Sequence, residues 1–175
     1  MSNILKKSDI HSDEYKSYYD TYLKLVSDGT SLDSALESYS LLIRFFEMLP
    51  ENKLLHRYQP EKWTPKQIFQ HLIDTERIFS YRALRFARND FSELSGFDEN
   101  EYAENCNAND RSLKSLTEEY KNLRLSNISM YESFSDEKLK NKGQASGGYF
   151  SVRVIPFILN GHEKHHMNII ESRYL

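Results

Sequence analysis

This sequence predicts an all-α fold, an antiparallel four-helix bundle with an extra N-terminal helical segment. Three observations lead there. Apolar residues recur every three or four positions through long stretches, which is the spacing of one helix face. The 6 glycines and 4 prolines mostly punctuate the chain between those stretches. No segment sustains period-two alternation, so strands are not expected.

The 175 residues fit a single domain, 1–175, with a bundle core over about 31–175 and an N-terminal helical arm over 1–30. Apolar residues make up 39% and charged residues 28%, a globular balance. A net charge of −3 argues against a nucleic-acid partner and gives an acidic lipid surface nothing to attract. The single cysteine, Cys106, excludes an intrachain disulfide and suits a reducing compartment. No stretch has the length of a signal peptide's apolar core or of a membrane span. The expectation is a cytoplasmic protein with a small-molecule substrate.

Asp13 to Val26 is tyrosine-rich and is read as helical, ending at Asp28-Gly29. The first bundle helix is predicted from about Leu32 to Met48, with Leu32, Leu36, Tyr39, Ile43 and Phe46 as its inward stripe. Pro50 and Pro60 bracket a loop. Thr64-Pro65-Lys66-Gln67 is the clearest local signal: an N-cap, a proline at the first helical position and a glutamine to close a capping box. The second helix therefore starts at Pro65 and runs to about Arg88. Asn89 to Asn109 reads as a long polar connection, a length often associated with function. A third helix begins near Asp110, with Leu113, Leu116, Tyr120, Leu123, Met130 and Phe134 inside. Gly143, Gly147 and Gly148 mark the last turn, and the fourth helix runs from about Ser151, with Pro156 tolerated in its first turn.

The histidines carry the chemistry. His162 and His166 are four apart, on one helix face, within a core stripe formed by Ile155, Leu159 and Ile169. On the second helix, His71 belongs to the inward stripe Ile68, His71, Thr75, Ile78 and Arg82. Antiparallel bundles build metal sites from side chains on facing helices in this way. Neutral imidazoles suit zinc, nickel, copper or iron, and three protein ligands leave a coordination position open. One divalent ion, zinc or nickel, is expected on His71, His162 and His166. His165 is read as a second-shell or surface residue; His56 and His11 lie in a loop and in the arm.

His162-Glu163-Lys164-His165-His166 also matches H-E-x-x-H, in which Glu163 would be the general base of a zinc peptidase. Such enzymes usually take a third ligand from further along the chain. Only nine residues follow His166, and none is a histidine. Arg82, eleven positions after His71, comes back to nearly the same face and can pair with either a substrate carboxylate or an acidic neighbour. Thr75 lines the site or merely packs. Trp63, just before the N-cap, is read as a structural staple for the helix start.

The chain resembles the DinB-like proteins, and among them the YfiT-like group. Lys62-Trp63-Thr64 leading into Gln70-His71-Leu72-Ile73-Asp74, and Gly161-His162-Glu163-Lys164-His165-His166, carry the resemblance. Ala83-Leu84-Arg85-Phe86-Ala87-Arg88 and Gly96-Phe97-Asp98-Glu99-Asn100 add to it, over roughly residues 30–175. It implies a four-helix bundle, often a homodimer, with the metal on His71, His162 and His166. It also implies a metal-dependent enzyme: a transferase of a low-molecular-weight thiol such as bacillithiol, mycothiol or glutathione, or a hydrolase. A metal-binding protein without catalysis is the third class, and spare volume beside the histidines would tell against it.

Overall fold

The computed structural model describes residues 5–175. Its elements are α1 (Asp20–Leu23), α2 (Leu32–Glu37), α3 (Tyr39–Glu47), α4 (Pro65–Ala87), α5 (Glu99–Asn105), α6 (Leu113–Glu132), α7 (Asp136–Leu139), β1 (Lys142–Ala145), β2 (Gly148–Ser151) and α8 (Ile155–Arg173). The bundle consists of α2–α3, α4, α6 and α8. None of these helices is long and apolar enough to cross a membrane.

Helix α4 starts where its cap dictates. Thr64 Oγ1 accepts from the Gln67 amide at 3.2 Å, and Gln67 Oε1 accepts from the Thr64 amide at 3.0 Å. The first predicted helix is present but broken at Ser38. The Ser38 hydroxyl donates back to the Ala35 carbonyl at 2.8 Å, a bond that competes with the helical ladder.

Side-chain pairs fix the helix directions. Gln70 meets Arg111, Arg77 meets Glu119 and Glu76 meets Arg124, so α4 and α6 run parallel. His71 meets His162, and Trp63 lies over His166, so α4 and α8 run antiparallel. The Ala35 and Leu36 carbonyls meet Arg124, while Phe46 packs in one cluster with Leu116 and Tyr120; α2–α3 is thus antiparallel to α6. Two helices run each way. Both α2–α3 and α4 pack mainly against α6 and α8, so they face each other across the core. Because α4 and α6 are parallel, the chain from Arg88 to Ser112 must return along the whole bundle. The connection read as polar and irregular is that crossover, and it carries α5.

The arm is helical as expected, but in short pieces: 3-10 turns at Ser12–Glu14 and Ser17–Tyr19, followed by the short α1. Docking overrides local propensity here, because Leu23 and Val26 are buried while the chain lies across α8. The Tyr22 carbonyl comes so close to Gly161 that a Cβ there would sit 2.2 Å from it. One expectation fails: a hairpin forms where strands were not expected. β1 pairs antiparallel with β2 through the two-residue turn Ser146-Gly147, both at positive φ. Four-residue strands containing Gly143 and Gly148 are too short and too glycine-rich to show period-two alternation. Gly143 is required, since a Cβ there would lie 1.9 Å from the Phe86 ring.

One guanidinium holds the four bundle elements together. Arg124 on α6 donates to Glu76 Oε1 at 2.7 Å and Oε2 at 2.9 Å on α4. It also donates to the Leu36 carbonyl on α2 at 2.9 Å, and to Glu163 on α8. Tyr120 donates to Glu163 Oε1 at 2.5 Å, and Asn127 donates to Glu76 Oε1 at 2.8 Å. Arg124, Glu76, Tyr120 and Glu163 are all buried. Deleting one partner of such a cluster strands the others, so Arg124→Met should destabilise the metal-free protein by roughly 3–5 kcal/mol. Urea unfolding measures it, and a loss under about 1 kcal/mol would mean the helices are registered by something else.

Candidate metal centre

The capped start of α4 places His71 two turns into a helix whose inner face is buried from Ile68 to Ile73. Antiparallel to it, α8 presents His162 and His166 one turn apart. The three imidazoles converge: His162 Nε2 lies 3.1 Å from His71 Nε2 and 3.0 Å from His166 Nε2. One ligand atom from each residue lies within 4.8 Å of the other two. Burial lowers the His71 pKa to about 4. Burial, joined by mutual repulsion, also holds His162 and His166 well below the ordinary imidazole value. The three rings are therefore neutral near pH 7, the form that ligates a metal. The two short contacts share one atom, His162 Nε2, whose single lone pair can accept fully from only one of its two neighbours, so without a cation the three facing nitrogens are poorly paired. The donor set fits one divalent ion.

The cluster forms part of the wall of a cavity of about 470 Å³. Tyr19, Tyr22, Phe79 and Phe97 give it an aromatic lining, and Thr75 and Arg82 continue the α4 face beyond His71. Trp63 is more than the staple expected: its ring centre lies 4.8 Å from that of His71 and 6.5 Å from that of His166. His165 also borders the cavity, its ring edge-on to Tyr22 at 5.4 Å. His56 and His11 are exposed and away from the cluster.

Glu163 cannot serve as the base of a peptidase motif. Its carboxylate is held by Tyr120 and Arg124 in the bundle interior, on a different face of α8 from the histidines. Burial, its largest influence, keeps that carboxyl above its usual range despite Arg124. The residues that sequence reasoning missed come from outside the bundle helices: Tyr18, Tyr19 and Tyr22 from the arm, Phe97 and Glu99 from the crossover, and Ser146 from the hairpin turn. The tyrosine clustering was the one visible hint.

Two outcomes follow. Replacing His71, His162 or His166 by Ala should reduce bound metal to a small fraction of wild type, while His56→Ala and His165→Ala keep it; elemental analysis of purified protein decides. Full occupancy in His71→Ala would mean that α8 alone holds the ion. The pH dependence has a definite sign. His71 has a folded pKa of about 4 against 6.5 for the free side chain, so the unfolded chain takes up a proton that the folded site refuses. Stability present above about pH 6.5 is lost as pH falls towards about 4, yet the folded site itself remains unprotonated over most of that window. Metal binding should change little between pH 7 and about 5.5, while urea stability of metal-free protein falls. A steep loss of affinity centred near 6.5 in folded protein would contradict the burial argument.

Comparison with known proteins bears on the fold and the family. No curated protein matches the sequence significantly. The fold is similar to that of YfiT from Bacillus subtilis, described as a probable metal-dependent hydrolase with an unusual four-helix bundle topology. The TM-score is 0.71 at 14% identity, over 94% of this chain and 90% of that one. Residues 36–170, which contain all three histidines and three quarters of the length, match the DinB superfamily. The chain belongs to the DinB superfamily.

Proposed function

We propose that the protein is a metal-dependent enzyme that transfers a low-molecular-weight thiol, of the bacillithiol or glutathione kind, to an electrophilic substrate. The observation that carries this reading is the convergence of three neutral imidazoles on the wall of a 470 Å³ cavity. A purely structural ion would need no such volume beside it. His71, His162 and His166 would hold zinc or nickel, and such an ion supplies Lewis acidity that lowers the pKa of a ligating thiol or water.

The surrounding residues favour thiol over water. Hydrolysis in H-E-x-x-H enzymes depends on a carboxylate base beside the metal. Here Glu163 is committed to Arg124, and Glu99 is the one carboxylate among the described residues on the cavity wall. A thiol's ordinary pKa, near 8.5, makes it far easier to ionise than water, so it asks less of its surroundings. The aromatic wall supplies apolar area that excludes solvent from an ionised sulfur. Hydrolysis remains the second reading, supported by the description given to YfiT.

The two readings separate spectroscopically. Cobalt-substituted protein should develop sulfur-to-metal charge-transfer absorption with the correct thiol. That thiol should then react with a model electrophile faster than with His162→Ala protein, by a margin that shrinks above the thiol's own pKa. Neither band nor conjugation across glutathione-like, cysteinyl-glycoside and simple thiols would end the transferase reading. Inhibition of an ester or amide hydrolysis by the same thiols would install the other.

A further inference from the structure

The cavity has two chemically distinct ends. Three turns of α4 separate His71 from Arg82, roughly 16 Å along the axis. Arg82 is only 2% exposed, yet forms no ion pair among the described residues. Its Nη2 donates to Ser146 Oγ at 2.8 Å and to the Ser95 carbonyl at 3.3 Å, and the guanidinium lies over the Phe79 ring at 4.8 Å. These partners are neutral. A buried cation without a counter-ion is costly, and burial correspondingly pulls its pKa down.

A second cation stands at the same end. Lys16 lines the cavity and makes no side-chain hydrogen bond or ion pair among the described residues. Its stem lies over the hairpin, where a Cβ on Gly148 would meet Lys16 Cδ at 2.5 Å. Ser146, Gly147 and Gly148 thus bring Arg82 and Lys16 to one hairpin turn. Midway along the α4 face, Thr75 is 6% exposed and lines the cavity, and its Oγ1 has no hydrogen-bond partner.

We infer that the cavity binds an elongated carboxylate ligand, its carboxylate on Arg82 and Lys16, its body along Thr75 and the aromatic wall, and its reacting end at the histidines. A carboxylate suits the guanidinium fork, which offers two parallel N–H donors. Two cations against the single carboxylate of Glu99 leave the hairpin end positive at neutral pH. Arg82, Thr75 and His71 succeed one another along one face of α4, so the cavity suits a ligand with polar groups at both ends. This rests on the proposed enzymatic reading only for which end reacts.

Mercapto acids test it, because the thiol anchors one end and the carboxylate probes the other. Metal-loaded protein should bind 11-mercaptoundecanoate, long enough to span the two ends, at least about ten-fold more tightly than the matching mercapto alcohol, as expected of a charge-assisted pair. Titration calorimetry reads both constants. Arg82→Gln should abolish the preference while leaving alcohol affinity and metal content unchanged. Lys16→Gln, at an exposed side chain, should reduce the preference several-fold and covers the case in which Arg82→Gln fails to fold. Equal binding of acid and alcohol by wild type, or an undiminished preference in the substituted proteins, overturns the inference. The comparison is an equilibrium ratio and needs no turnover: absent conjugation would sink the transferase reading and leave the carboxylate site standing, and a lost preference would do the reverse.

Discussion

Arg124 is the constraint on which the rest of the structure depends. Its side chain is 1% exposed and meets α4 through Glu76, α8 through Glu163 and α2 through the Leu36 carbonyl, while its own backbone belongs to α6. Apolar packing is tolerant of small rotations between helices; a bidentate guanidinium–carboxylate pair is not. Fixing Glu163 inward towards Arg124 fixes the rotation of α8, and that rotation turns His162 and His166 towards α4. Fixing Glu76 does the same for α4, whose His71 lies five residues earlier. The polar cluster and the histidine cluster are thus two consequences of one helix register. Such a cluster is poor evidence for stability as such, since desolvation offsets much of the attraction, but it discriminates strongly between registers.

The same fact explains how the H-E-x-x-H reading misleads. In a peptidase helix the glutamate shares the solvent side of the metal with substrate. Here Glu163 is adjacent in sequence to His162, about 100° round the helix from it, and that face of α8 is interior. Sequence spacing specifies which residues share a face. It does not say whether the neighbouring face meets a cavity or another helix.

Much of the bundle was legible for a simple physical reason. Thr64-Pro65-Gln67 announces α4 because capping is local chemistry, and the stripe through His71 and Arg82 is a helical period that tertiary packing preserves. The α6 stripe was read less well. Leu116 and Tyr120 are inside as expected, but Arg124 and Asn127 occupy the same seam, and apolar periodicity passes over buried polar residues. The hairpin was missed, and the breaks within the helical arm were not legible, because each is held by tertiary contacts rather than propensity: Phe86 seated at Gly143, and Tyr22 seated at Gly161. Trp63 was assigned to structure because a residue before an N-cap usually is; nothing local reveals that its ring lies against two of the three histidines.

What was legible and what was not divide along a functional line. The histidines come from α4 and α8, where periodicity places them and Arg124 registers them. Much of the remaining cavity wall comes from the arm, the crossover and the hairpin turn: Tyr19 and Tyr22, Phe97 and Glu99, Ser146. The crossover exists because α4 and α6 are parallel, so a segment as long as the bundle must pass outside it. Arg88 to Ser112 has that role, and its path brings Leu94 beside Ala145 of the hairpin. The bundle's connectivity therefore delivers a loop, a hairpin turn and the arm to one cavity beside the three histidines. Substitutions at Phe97, Glu99 or Ser146 reshape the cavity wall away from the Arg124 cluster, whereas Tyr22, edge-on to His162 at 5.0 Å, couples the arm to the imidazoles. The histidines sit on bundle helices and much of the remaining wall on connecting segments, so the fold places the cluster more firmly than it shapes the cavity around it.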